Sequence, residues 1–152
     1  MIKVWIDADA CPRDAKELVF RTADRLGIDT ILVANSQMRI PKSPYISIEV
    51  VGKGLDVADD YIADHAEPTD LVVTTDIPLA ARIVEKGTAC MDPRGRIFDE
   101  DNIASRLATR NLMADLRIEG MMGGGPPPYK PKDRSNFASA LDRMLTRLAR
   151  EV

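Results

Sequence analysis

IKVWIDAD, residues 2–9, is apolar at four of its first five positions and then ends on two carboxylates one residue apart. Short β-branched runs of this kind suit a strand buried on both faces of a parallel sheet. Working outward, similar segments recur at 29–34 (DTILVA), 46–51 (ISIEVV), 70–75 (DLVVTT) and 88–91 (TACM). Helical patterns fall between them at 13–26, 55–66 and 78–86, the last closed by Gly87 where a C′ glycine belongs. Strands alternating with helices predict an α/β protein, with a mostly parallel sheet in a three-layer α/β/α arrangement. The one connection without helical pattern, NSQMRIPKSPY at 35–45, holds two prolines and predicts an exposed loop or extended link.

Beyond this core, the pattern predicts a helix over 101–118. In EGMMGGGPPPYKPKD, starting at residue 119, three glycines and then four prolines predict a hinge followed by a stiff spacer. From Ser135 onward, Phe137, Leu141, Met144, Leu145 and Leu148 form one stripe of an amphipathic helix. The chain therefore divides into a body (1–118), a Gly/Pro-rich linker (119–134) and a C-terminal helix (135–152). The stripe has to be covered either by the body or by a partner chain, and the second choice would make a homodimer through this helix.

Composition narrows the class. A chain of 152 residues, 45% hydrophobic and 30% charged, supports one sizeable core, and no apolar run approaches the length of a membrane span. Strand pattern from residue 2 leaves no room for a signal peptide, so a cytoplasmic location is expected. Cys11 and Cys90 lack CxxC spacing and His65 is the sole histidine, which argues against a Cys/His zinc site. Cys11 reads as a small packed residue, because Asp7, Asp9 and Asp14 oppose a thiolate, and His65 as a surface residue. The net charge of −3 is uneven: residues 1–125 carry 15 Lys/Arg against 21 Asp/Glu (−6), and residues 126–152 carry 6 against 3 (+3).

The acidic residues fall where ligands bind in open α/β sheets, beyond the carboxyl ends of strands. Asp7 follows the first strand, Asp76 the fourth and Asp92 the fifth. Each also has a local reading. Asp76 suits the N-cap of a helix opening Ile77-Pro78, Asp92 suits a turn before Pro93 and Gly95, and Asp7 or Asp9 suits a cap near Pro12. In GLDVADDYIADHA, Leu55, Ala58, Ile62 and Ala66 are expected on the buried face, with Asp56, Asp59, Asp60 and Asp64 clustered opposite. Like charges at i,i+4 cost roughly 0.2–0.5 kcal/mol per pair, so a merely solvated face is one reading. Position favours another: Asp56 follows Gly52-Lys53-Gly54 where the chain leaves the third strand. Carboxylates meeting at one edge resist ionisation unless a cation joins them. Oxygen ligands without His or Cys select Mg²⁺ or Mn²⁺, the ions suited to phosphodiester hydrolysis.

The stretches VWIDADACP, GKGLDVADDYI, DLVVTTDIPLA and GGGPPPYKPKDRSNF closely resemble the YaiI/YqxD family of uncharacterised bacterial proteins, across essentially the whole chain. More remotely, the core is similar to PIN-like nucleases of the NYN branch. That likeness implies a PIN-like fold, Mg²⁺- or Mn²⁺-dependent cleavage of RNA, and Asp7, Asp56 and Asp76 as catalytic metal ligands, with Asp60 or Asp92 as a further acidic ligand; Asp9, Asp60 and Asp92 are all candidates for supplementary or water-mediated ligation. Lys53 would hold substrate phosphate or restrain the acidic cluster, and Asn35, after the second strand, would contact substrate. The sequence departs from the NYN pattern in having Asp9-Ala10-Cys11-Pro12 where an Asn usually stands nearby, and TTDIPLA in place of Gly/Ser-Asp-x-Asp. VWIDADAC also resembles the opening motif of haloacid-dehalogenase-type phosphatases, which implies Asp7 as nucleophile, Asp9 as general acid and Thr74 or Thr75 at the phosphate; the paired acids of a later strand are lacking. A third reading is a non-catalytic RNA- or protein-binding module. In it Lys130, Lys132, Arg134, Arg143, Arg147 and Arg150 would follow a phosphate backbone and Tyr129 would stack on a base.

Overall fold

The computed structural model describes residues 1–54, 56–118 and 127–151. The glycines at 123–125 and the start of the proline run, on which the expected hinge rests, lie outside the described residues. One sheet organises the body. Its strands are β1 (Lys3–Asp7), β2 (Asp29–Ala34), β3 (Ile46–Val50), β4 (Leu71–Val73), β5 (Ala89–Met91) and β6 (Ile97–Phe98), in the order β3-β2-β1-β4-β5-β6. All neighbours pair in parallel except β5 and β6, which form an antiparallel hairpin.

Because side chains alternate along each strand, the sheet splits the apolar residues into two cores. Val4, Ile6, Leu32, Ala34, Leu71, Val73 and Met91 face one side, beneath α1 (Arg13–Leu26) and α5 (Pro131–Glu151). Trp5, Val33, Val72, Cys90 and Phe98 face the other, beneath α2 (Val57–His65) and α3 (Ile77–Glu85). A further helix, α4 (Ile103–Ile118), packs on α3. This is the expected three-layer α/β/α architecture with a mostly parallel sheet. Trp5 is held at the far end of the sheet by its indole N–H, which donates to Asp70 Oδ2 at 3.0 Å. That buried carboxylate also accepts from the Lys3 and Glu67 amides.

Two features depart from the sequence reading. The hairpin partner β6 is only two residues long, too short to give a periodic signal. The final helix begins at Pro131, four residues before Ser135. Proline at the first helical position is pre-organised and forgoes no hydrogen bond, and Asp133 Oδ2 accepts from the Lys130 amide at 2.8 Å, which satisfies the helix start.

The apolar stripe of α5 lies inside its own chain. Phe137, Leu141, Met144, Leu145 and Leu148 are all buried in the core shared with α1 and β1. Of the two coverings expected for the stripe, body or partner chain, the structure shows the body. The start of α5 is fixed on the β5–β6 turn. Gly95 has φ +90°, and a Cβ there would lie 2.6 Å from the Asn136 carbonyl oxygen, so only glycine allows this approach. Arg94 pairs with Asp133 at 2.8 Å, and Tyr129 donates its hydroxyl to the Pro93 carbonyl at 2.7 Å. Tyr129 is thus a clamp on the turn, not the free stacking ring of the binding-module reading. No helix among the described residues is long and apolar enough to cross a membrane.

Candidate active site

The strand order reverses direction between β1 and β4. From β1 the chain builds outward through β2 to β3, then returns to lay β4 on the other side of β1. Crossovers diverge at such a point and leave a crevice at the carboxyl ends of the two strands. Asp7 is the last residue of β1 and Asp76 comes three residues after β4, so both stand at this crevice. α2 runs back over β1 and β2 from β3, which brings its first turn, with Asp56 and Asp59, to the same edge.

Thr74 ties the two strand ends together. Its hydroxyl donates to Asp7 Oδ2 at 2.9 Å and accepts from the Asp76 amide at 3.0 Å. Asp7 is 7% exposed, and burial raises its pKa. The Thr74 hydrogen bond opposes that rise, while the negative charges of Asp76 and Asp9 add to it. Asp76 caps α3 through Oδ1, which accepts from the Leu79 amide at 2.9 Å. Burial, then the negative charge of Asp76 and a hydrogen-bonding interaction with its side chain, with smaller contributions from Asp7 and Asp56, push Asp59 up to about 7. Neighbouring carboxylates cannot all be ionised cheaply, so near neutral pH Asp59 holds a proton or calls for a cation.

Asp56 opens α2 in the left-handed region at φ 64°, the sole non-glycine residue with positive φ among the described residues. Its side chain makes no capping hydrogen bond, and its charge acts on Asp59. An Asp tolerates this conformation better than most residues, at a cost on the order of 1–3 kcal/mol.

The charges of Asp7, Asp56 and Asp76 thus all act on Asp59, a residue that the sequence pattern assigns to the solvated acidic face. A signal for Asp59 was present. At 100° per residue it falls between Ala66 and Ala63, both buried, and not opposite them. The neighbouring Asp60 points away and pairs with Arg82 at 2.7 Å on the surface. Asp92 is a turn residue: its Oδ1 accepts from the Arg94 and Arg96 amides, both at 2.9 Å. Asp9 stands near Asp7, but its Oδ2 accepts from the Asn35 amide at 2.8 Å. Asn35 Oδ1 is buried without a hydrogen-bond partner among the described residues. Lys53 is exposed on the bend before α2. Burial pushes the Cys11 thiol up to about 12, in line with a packed residue and not a nucleophile. His65 is exposed and stacks on Tyr61 with ring centroids 3.9 Å apart.

For a metal, the donor set is all oxygen, which suits a hard divalent cation. Among the described residues no three His, Cys, Asp or Glu side chains are gathered closely enough to hold one ion together. The arrangement fits an ion held by one or two carboxylates that keeps most of its waters, as Mg²⁺ commonly does.

Fold and site together define a doubly wound α/β protein with an acidic crevice at its topological switch point. Comparison with known proteins assigns the family. Residues 5–147 match the model of the uncharacterised bacterial YaiI/YqxD family, and the chain belongs to that family. It is 55% identical to a UPF0178 protein of Geobacter metallireducens over 151 residues, covering 99% of this chain and 97% of the relative. It is also 55% identical to one of Geobacter sulfurreducens over 150 residues (98% and 99%), and 50% identical to one of Shewanella sp. strain MR-7 over 148 residues (97% of each). No solved structure matches the chain.

Proposed function

We propose that the protein is a metal-dependent phosphodiesterase acting on RNA, with its centre at Asp7, Asp59 and Asp76. The observation that carries this reading is Thr74 tying a buried Asp7 to Asp76 at the two strand ends, with Asp59 on the first turn of α2 within reach of both charges. Such a grouping is costly as a resting structure and useful as a divalent-cation seat. Asp59 and Asp76 would hold Mg²⁺ or Mn²⁺, with Asp7 and Asp56 reaching it through water. When bound, such an ion supplies a nucleophilic water at neutral pH and relieves charge at the leaving oxygen. Thr74 keeps Asp7 oriented, and the Asp76 cap fixes its carboxylate against the start of α3, so the chain pre-sets the donors. Lys53 and Asn35 remain candidates for substrate contact at the edges of the crevice. The phosphomonoesterase alternative is less well supported, because it asks Asp9 for a free carboxyl group and one of its oxygens is taken by the Asn35 amide.

The test is incubation of purified protein with single-stranded and structured RNA, with and without Mn²⁺, beside Asp76→Asn. Asn caps a helix about as well as Asp, so the variant keeps its fold while losing a charge at the centre. Mn²⁺-dependent cleavage lost in the variant is the expected result. Equal cleavage by both proteins removes the proposal. Release of phosphate from small phosphomonoesters, abolished in Asp7→Asn, replaces it with the phosphatase.

A further inference from the structure

The body carries more acidic than basic residues, yet one groove gathers cations. It is a trough of about 710 Å³ between the outer flank of α1 and the 35–45 connection, with Arg13, Lys16, Arg21 and Arg39 along its walls against two acids, Glu17 and Asp24. Phe20, Met38 and Ile40 form an apolar floor, partly buried against the core. On α1, residues 13, 16, 20 and 21 stand at i, i+3, i+7 and i+8, a single face.

Both walls leave the same sheet edge: α1 follows β1 and the connection follows β2. The trough therefore runs along α1 from the sheet edge at which Asp7 ends β1 toward the opposite edge. Its far end is closed, where Ser43 Oγ donates to Asp24 and the Tyr45 ring lies 3.5 Å from where a Cβ on Gly27 would sit. Of the four cations, Arg13 pairs with Glu17 at 3.3 Å. The Lys16 ammonium has a thioether for company, Met38 Sδ at 3.7 Å, which offers it no charge compensation. With Glu17 paired to Arg13 and Asp24 accepting from Ser43, the excess of positive charge on Lys16, Arg21 and Arg39 around an apolar floor suits a polyanion with flat apolar groups of its own.

We propose that this trough seats single-stranded RNA, with Lys16, Arg21 and Arg39 contacting successive phosphates and a base resting on Phe20, so that the strand leads into the acidic crevice. It rests on the nuclease reading for the direction of the strand, but binding is measurable without cleavage. Stacking on an aromatic ring is indifferent to sequence, and phosphate contacts carry a salt signature.

The experiment follows fluorescence anisotropy of a labelled single-stranded RNA in EDTA across a salt series. It compares the full chain, the Lys16→Gln/Arg21→Gln/Arg39→Gln variant, Phe20→Leu and Asp76→Asn. These cations are surface side chains outside the acidic centre, and circular dichroism confirms that each variant is folded. Expected are a log–log salt slope shallower by about 2 in the triple variant, since each phosphate left unneutralised lowers it by about 0.7, weaker binding in Phe20→Leu, and binding retained in Asp76→Asn. Failure of the wild-type chain to bind, an unchanged slope in the triple variant, or equal displacement of RNA by poly-aspartate overturns the trough assignment. Binding with these signatures but no Mn²⁺-dependent cleavage leaves the trough standing and removes the nuclease. Cleavage unaffected by the triple variant does the reverse.

Discussion

Replacing Asp59 with Asn tests the acidic centre through stability alone, with no substrate needed. In the folded protein the Asp59 carboxyl titrates at about 7 against an ordinary 3.8. The folded chain therefore holds a proton that the unfolded chain has released. Stability from this group is fully present below about pH 4, declines as pH rises and is gone above about pH 7. Taken at face value, a rise from 3.8 to about 7 corresponds to roughly 4 kcal/mol at 1.36 kcal/mol per pKa unit. Asp59 is only partly buried, and solvent screening reduces this to about 1–2 kcal/mol. Urea denaturation at pH 4 and pH 8 measures it. Wild type loses about 1–2 kcal/mol more than Asp59→Asn between those pH values, and millimolar Mg²⁺ at pH 8 restores part of the loss in wild type only. Identical pH dependence in the two proteins would falsify the claim that the fold raises the Asp59 carboxyl.

Other consequences are as direct. Asp76→Ala loses about 0.5–2 kcal/mol of stability through the missing α3 cap, whereas Asp76→Asn stays near wild type in the same denaturation assay. Phe137→Ala, which empties a fully buried site under α5, costs about 3–5 kcal/mol; a thermal midpoint unchanged by it would mean that α5 adds nothing to the core. At pH 8 iodoacetamide leaves Cys11 unmodified in the native protein and alkylates it in urea, because burial has raised the thiol to about 12; mass spectrometry of the adducts decides.

What the sequence makes readable is periodicity. Five strands, α1 to α4, and the placement of Asp7 and Asp76 at strand ends all follow from apolar runs and from the rule that α/β crevices open beyond carboxyl ends. The strand Ile97–Phe98 escapes because two residues carry no period, and with it goes the hairpin that claims Asp92. The early start of α5 escapes because Pro131 counts against a helix in the interior and in favour of one at its first position. Only the geometry of the start separates the two. Asp59 and Asp60 differ by one helical step, so assigning a whole acidic face to solvent loses the residue that turns inward. Arg82, which draws Asp60 outward, belongs to a different helix. Asn35 reads as a crevice residue from its position after β2, but its backbone contact with Asp9 is tertiary and leaves no mark in local sequence.

The burial of Phe137, Leu141, Met144, Leu145 and Leu148 against β1 has a kinetic corollary. The first-made strand acquires its last neighbours from a segment near the opposite end of the chain. Such distant closure is slow relative to local helix formation. During synthesis on the ribosome, one side of the nascent sheet is covered by α1 alone until α5 emerges.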